Sequence, residues 1–324
     1  MRSIWFRAFV LAGVVTPAAA QVVARFEDLA QQFVYDQKAP LEVRTIGRSS
    51  RQDVSIIDLT YASSLGGRVP AYLVVPAGKG PFAAVLFGHW MMEGSPLRNR
   101  REFLEEAVVM ARAGAVSLLI DAPLVRPGFV VEKDLPRAWA HSAEASRQQV
   151  IDFRRGVDML TSRADVDPAR LAYVGHSFDA HVGGILTGVE KRIGSFVLMA
   201  ATFADEEYVF DPENADMRAL RQRIGDETLR VLFRKYVWDD PVYFIGRSAP
   251  AAVFLQFGRN DEPIPEGLAR RHYDLFAQPK RIAFYDAGHA LNREARRDRV
   301  AWLAERLSLA SIDQAALASI PELK

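Results

Sequence analysis

The chain has 324 residues, with 41 Lys plus Arg against 40 Asp plus Glu, 49% hydrophobic and 25% charged residues, and no cysteine; these are the proportions of an ordinary globular protein, not of a disordered, collagen-like or disulfide-stapled one. The balanced charge and the lack of a basic run exclude the electrostatic footprint of sequence-independent nucleic-acid binding, so nucleic acid is not an expected partner. Zero cysteine excludes a thiolate nucleophile and a cysteine-ligated metal site, which leaves oxygen or nitrogen as the only covalent nucleophiles.

Residues 1–20 carry Arg2 and Arg7, an apolar stretch over 8–15, and Ala18-Ala19-Ala20 before Gln21. This is the layout of a secretory signal peptide cleaved after Ala20, and the apolar stretch is well short of the roughly 20 residues that span a bilayer. The expected mature protein is residues 21–324, near neutral, periplasmic or secreted, with no stable membrane insertion.

Next, Phe26, Leu29, Phe33 and Val34 are spaced as one face of a helix. Residues 54–61 and 69–75 alternate and are joined through Gly66-Gly67, which predicts an antiparallel pair. From there continuous apolar runs alternate with helical patterns: strand 82–87, helix 101–112 stopped by Gly114, strand 115–120, helix 141–162, strand 171–174, helix 180–189, strands 196–200 and 251–257, helix 264–276, strand 281–285 and helix 293–307. Such runs mean βαβ units around a buried sheet, and the expected fold class is a three-layer α/β domain with a mostly parallel sheet. Residues 202–249 are too many for a structureless loop in a compact domain. They are expected to form a helical cap over the end of the sheet, with 217–224 and 228–237 as its helices.

The chemistry gathers at three strand ends. Strand 171–174 runs into Gly175-His176-Ser177-Phe178-Asp179. A serine at a sharp strand-to-helix turn is lifted clear of the sheet, with the first N–H groups of the helix facing anything bound to its Oγ. The segment resembles the nucleophile elbow of the α/β-hydrolases, usually Gly-x-Ser-x-Gly, but Asp179 stands in the last position. Asp179 either splays the turn or aims its carboxylate into the pocket; in the first turn of a helix it also suits the orphan N–H groups and the helix dipole. Strand 251–257 leads into Gly258-Arg259-Asn260-Asp261-Glu262-Pro263. Alone, Asp261 reads as a helix cap; in the fold family that the elbow resembles, the orienting carboxylate follows this strand in a Gly-x-x-Asp segment, with Asp205 and Asp286 as the next candidates. Strand 281–285 leads into Asp286-Ala287-Gly288-His289, and an imidazole on that short loop is placed to reach back to the serine. The order Ser177, Asp261, His289 is that of α/β-hydrolase triads.

An oxyanion hole needs two donors. By the resemblance, Phe178 offers one N–H, and Gly88-His89-Trp90-Met91 after strand 82–87 offers the other, looking like the His-Gly segment of esterases with the two residues reversed. His89 and Trp90 both qualify, Trp90 being preferred. His141, His181 and His272 fall on predicted helices as surface or satisfied polar residues, and His176 is the variable elbow position. With no clustered ligand set, neither a metal nor a cofactor is expected. The aromatics of residues 202–249, among them Phe203, Tyr208, Phe210, Phe233 and Phe244, would suit an apolar wall over an acyl or aryl group.

Over residues 54–307 the chain is thus similar to the α/β-hydrolase superfamily, in its dienelactone hydrolase and acetyl xylan esterase-like branch. The resemblance implies a serine esterase for a small-molecule ester. Ser177 would attack the acyl carbonyl, His289 take and return the proton, Asp261 orient the imidazole, and water resolve the acyl-enzyme. A serine at the elbow departs from the cysteine of dienelactone hydrolase itself. The alternatives are a peptidase or thioesterase of the same fold, or a catalytically silent fold used for binding. Oligomeric state is left open.

Overall fold

The computed structural model describes residues 24–323 except Gln52 and Glu213; the expected signal segment, residues 1–20, lies outside the described residues. In chain order the elements are α1 (Phe26–Ala30), β1 (Arg44–Arg51), β2 (Val54–Ala62), β3 (Arg68–Val75), β4 (Phe82–Gly88), α2 (Leu104–Arg112), β5 (Ala115–Ile120), α3 (Leu135–Thr161), β6 (Val166–His176) and α4 (Phe178–Val189). There follow β7 (Ser195–Met199), α5 (Asp205–Phe210), α6 (Ala215–Ile224), α7 (Asp226–Lys235), α8 (Val242–Ile245), β8 (Ala252–Gly258), α9 (Glu266–Leu275), β9 (Lys280–Tyr285), α10 (Arg293–Arg306) and α11 (Gln314–Ser319).

The described strands form one sheet in the order β1-β2-β3-β5-β4-β6-β7-β8-β9. The β1–β2, β2–β3 and β3–β5 pairings are antiparallel, and every pairing from β5 to β9 is parallel. Alternation along each inner strand feeds two cores: Ala84 and Leu86 point to the side of α3, α4 and α9, while Ala83, Val85 and Phe87 point to the side of α2, α10 and α11. Both faces are therefore covered, which is why these strands read as unbroken apolar runs. The result is a three-layer α/β arrangement, and among the described residues no helix is long and apolar enough to cross a membrane.

Several elements escape the sequence reading: β1, the first half of β6 and the short helices α5, α8 and α11. β1 is exposed along almost its whole length, so it carries no apolar periodicity; its Arg44, Arg48 and Arg51 charge a sheet edge that would otherwise invite pairing. The first half of β6 is likewise polar and partly exposed.

β4 lies at the switch in strand order, with β5 on one flank and β6 on the other. A crevice opens outside the carboxyl ends of such strands. There Gly88 of β4 pairs with Gly175 of β6. The segment between β7 and β8 covers this end. Val209, Leu229 and Phe233 give it a small core of its own, and Trp139 of α3 joins that core edge-on to Phe233, with ring centroids 4.9 Å apart.

Candidate active site

The turn between β6 and α4 forces Ser177 to φ 54° and ψ −111°, a region sparsely populated by residues other than glycine and costing of order 1–3 kcal/mol. Its N–H donates to the Met199 carbonyl of β7 at 2.8 Å, which ties the turn to the neighbouring strand and leaves Oγ projecting from the sheet. The Ser177 Oγ–H donates to His289 Nε2 at 2.8 Å. On the far side of the ring, His289 Nδ1–H donates to the Asp261 carboxylate, 3.0 Å to Oδ2 and 3.2 Å to Oδ1. These partners set the tautomer, with the proton on Nδ1 and the Nε2 lone pair toward the serine. The Asp261 side chain is completely buried and His289 retains 17% of its exposure, so the acid is shielded while the imidazole edge meets the cavity.

Asp261 and His289 sit on different loops that must touch. A Cβ at position 258 would overlap the carbonyl oxygens of Ala287 and Gly288; glycine there lets the His289 loop lie on the end of β8, where Asn260 N–H donates to the Ala287 carbonyl at 2.9 Å. The two other acids considered for this role are engaged elsewhere. Asp205 faces His181, and Asp286 accepts from the Asn260 side chain.

A cavity of about 550 Å³ opens over Ser177, Phe178 and His289, with apolar wall from Ala201, Tyr208, Met217, Leu220 and Ile224. Of the aromatics expected to form that wall, only Tyr208 does so. Phe210 and Phe233 fill the small core of the β7–β8 segment, Phe203 packs edge-on against Phe276, and Phe244 against Phe33. Large rings on a short helical segment are needed first to bury that segment against the domain.

Phe178 opens α4, so its N–H has no intrahelical acceptor, and the residue lines the cavity. Trp90 does not supply a second donor. Its N–H donates to Glu102 Oε2 at 2.7 Å, while its ring is buried and stacked on His176, centroids 5.1 Å apart and planes at 21°. The His89 N–H is also taken, by Asp179. The acceptors are carboxylates from distant elements, invisible to a reading of the loop alone.

Those carboxylates belong to a closed polar cluster on the β4 side of Ser177. His176 Nε2–H donates to the backbone carbonyl of His289 at 2.9 Å, and its Nδ1 lies 2.6 Å from Glu102 Oε1. A carbonyl only accepts, so Nε2 carries the proton of that bond. Glu102 and His176 thereby brace the loop that carries His289. Asp179 is also fully buried. It neither splays the turn nor faces the cavity: Gln149 Nε2 of α3 donates to its Oδ1 at 3.0 Å, and a Cβ at Gly88 would collide with its side chain. Asp179 and the reversed Gly88-His89 order are therefore one feature, because the carboxyl occupies the room that glycine leaves. Burial pushes the Asp179 carboxyl well above the usual carboxylate range, outweighing the hydrogen bonds from Gln149 and His89.

The other histidines divide. His141 is exposed, as expected. His272 is buried and accepts the Phe203 N–H at 3.1 Å, and burial lowers its pKa to about 4. His181, expected as a surface or satisfied polar residue, lines the cavity with the carboxylates of Asp205 and Asp239 beside its ring.

No family model matches the chain, and no curated protein matches it in sequence. Solved structures do match. Acetyl xylan esterase 1 from Thermoanaerobacterium sp. JW/SL YS485 superposes with a TM-score of 0.68 at 17% identity, covering 87% of this chain and 93% of that one. The acetyl xylan esterase from Paenibacillus sp. R4 gives 0.66 at 17%, covering 86% and 92%, and a cold-adapted esterase from an Arctic intertidal metagenomic library gives 0.57 at 18%, covering 81% and 97%. The fold is that of the α/β-hydrolases. Within the α/β-hydrolase fold, the three strand ends singled out from the sequence meet at one edge of the sheet, and identities this low make the likeness one of architecture.

Proposed function

We propose that the protein is an exported serine hydrolase that cleaves carboxylic esters through an acyl-enzyme. The observation that carries this reading is the continuous hydrogen-bond chain Ser177–His289–Asp261 opening on an apolar cavity. As Ser177 Oγ attacks the acyl carbonyl, its proton passes to His289 Nε2, and the buried Asp261 carboxylate stabilises the imidazolium formed. The Phe178 N–H, at the positive end of α4, faces the developing oxyanion. The proton then goes to the leaving alkoxide, and a water deprotonated by the same imidazole releases the acid. Esters are favoured over peptides because solved esterases share the architecture. The burial of Asp179 over Gly88, which accounts for both Asp179 and the reversed Gly88-His89 order, supports the enzyme reading over a silent, binding-only fold.

A fluorophosphonate probe is expected to label wild type at Ser177 and not Ser177→Ala. An acyl-length series of chromogenic esters is expected to be hydrolysed by wild type alone; equal hydrolysis by Ser177→Ala would overturn the reading. Export rests on residues 1–20. Protein recovered from the periplasm or medium of its host should begin at Gln21, and an intact Met1 there would refute it.

A further inference from the structure

Two helices border the cavity over Ser177 with apolar stripes that the protein covers only in part. At the start of α3, Leu135, Ala138 and Trp139 stand at helical spacing, and in the segment between β7 and β8, α6 presents Met217, Leu220 and Ile224 at i, i+3 and i+7. All of them line the cavity that holds Ser177 and His289. No residue of α6 is buried, and its outer face, with Asp216, Arg218, Gln222 and Arg223, is exposed. Trp139, Met217 and Ile224 lean on the small core of Val209, Leu229 and Phe233. Leu135, Ala138 and Leu220, each half-buried, pack into neither that core nor the two cores of the sheet. An amphipathic helix turns its apolar stripe toward what it covers, and α6 covers the cavity. The polar side chains there are engaged with one another: Asp205 and Asp239 flank His181, the Thr202 hydroxyl donates to Asp205, and Ser146 sets its hydroxyl against Asp239. What the cavity leaves uncovered is thus mainly apolar, the mark of a ligand groove.

We propose that the cleft between α6 and the first turns of α3 holds an extended apolar chain or ring of the ester, so that the substrate carries an apolar arm well beyond acetyl size, with Leu135 and Leu220 setting the preference. The occupant is continuous with the chemistry, because Ser177, Phe178 and His289 line the same cavity. From Met217 to Ile224 the stripe runs about 10 Å at 1.5 Å per residue, the length of a chain of several carbons. An acetyl group or a small alcohol would leave Leu135 and Leu220 facing water. A polyhydroxylated arm would lay its hydroxyls against Leu135, Met217 and Leu220, which offer them no hydrogen bond. A charged arm would lose its hydration beside a histidine already held between two carboxylates.

The cleft rests on the esterase reading of the same cavity, and its test separates the two. One series is p-nitrophenyl esters from acetate to dodecanoate, which lengthens the acyl side; the other is n-alkyl acetates from ethyl to dodecyl, which lengthens the alcohol side and is followed by acid release. All are kept below their micelle-forming concentrations. Turnover is measured with wild type, and binding of the intact esters to Ser177→Ala by calorimetry. Each methylene taken out of water is worth about fourfold in binding, so kcat/KM is expected to rise about a hundredfold or more from the shortest ester to the octyl or octanoyl one in one of the two series. The series that rises identifies the side of the ester that lies in the cleft. Leu220→Ala and Leu135→Ala are each expected to lower the long-to-short ratio severalfold, and Leu220→Asp, which sets a charge in the cleft, to lower it further. Arg223→Ala, on the outer face of α6, should leave that ratio as it is; an equal fall there would assign the effect to the packing of the segment and overturn the cleft. Hydrolysis with no gain from length in either series also overturns the cleft and leaves the esterase reading standing. Tighter binding of long esters by Ser177→Ala with no hydrolysis by wild type does the reverse. Neither hydrolysis nor length-dependent binding refutes both.

Discussion

Two polar clusters flank Ser177, and they are built in opposite ways. Toward β4, Glu102, His176, Gln149 and Asp179 are buried and joined by short hydrogen bonds, with the Trp90 indole nitrogen the one ring donor left unpaired there. Toward the β7–β8 segment, His181, Asp205, Asp239 and Ser146 stand farther apart, His181 lying 3.5 Å from Asp205 Oδ2 and 3.6 Å from Asp239 Oδ1 with the Ser146 hydroxyl against the Asp239 carboxylate. A closed cluster has spent its hydrogen bonds on holding the turn and the His289 loop in place. A looser one is held mainly by charge, which tolerates distance better than a hydrogen bond does. The same residue types thus make a tightly hydrogen-bonded brace on one side and a looser ion-paired group on the other, and the difference lies in how closely their partners approach.

The sharpest break comes at the seam between the clusters. Ser177→Ala or His289→Ala should lower kcat by about 10⁴-fold or more with folding intact by circular dichroism, because the members act as a unit. Asp261→Asn should follow at up to about 10⁴-fold by spoiling the tautomer of His289. Near-normal turnover in Asp261→Asn would move the acid elsewhere.

The closed side is tested next. His176→Ala removes the donor that braces the His289 carbonyl and should cost roughly 10- to 100-fold in kcat with KM little changed, since misplacement of a reacting group by about 1 Å is worth that much. Glu102→Gln, which keeps an acceptor for Trp90 N–H, should cost less. If His176→Ala left kcat within twofold while only lowering the melting temperature, the cluster would be structural and nothing more.

A smaller effect probes the pairing of Gly88 with Asp179. Gly88→Ala should destabilise wild type by about 1–3 kcal/mol through overpacking and much less in an Asp179→Gly background, a coupling of about 1 kcal/mol or more in denaturant melts. Additive costs would show that Asp179 and the reversed Gly88-His89 order are independent departures from the family pattern.

The last expected effect is a pH dependence beside His181 and Asp205. Asp240 accepts the N–H groups of Asp205 and Val242 at 3.0 and 3.1 Å, and burial, then the nearby Asp205 carboxylate, pushes its pKa up to about 7. A carboxyl raised in the folded state favours folding fully below its unfolded value of about 3.9, and that contribution is lost as pH rises through the folded one. The melting temperature of wild type relative to Asp240→Asn should therefore fall between about pH 4 and pH 7. A flat difference across that range would show that Asp240 ionises as it would in water.

The three strand ends were legible because each signal is local: an apolar run, a turn residue, then Ser177, Asp261 or His289. The helices 217–224 and 228–237 were legible too, within two residues at each end, since helical spacing is a property of neighbours in the chain. β1 was not, because an exposed edge strand has no buried face to imprint a period of two.

What the sequence determined by itself was the layered α/β plan, from residue type and short-range order; with the resemblance to the α/β-hydrolases it also singled out Ser177, Asp261 and His289, which the structure brings into one hydrogen-bond chain. Tertiary structure decided who partners whom. It gave the Trp90 N–H to Glu102, seated Asp179 over Gly88, tied His176 to the His289 carbonyl and turned His181 into the cavity. Each of these joins elements that only the strand order makes adjacent, and a backbone N–H or buried carboxylate is claimed by whichever group lies within about 3 Å in space, whatever its distance along the chain.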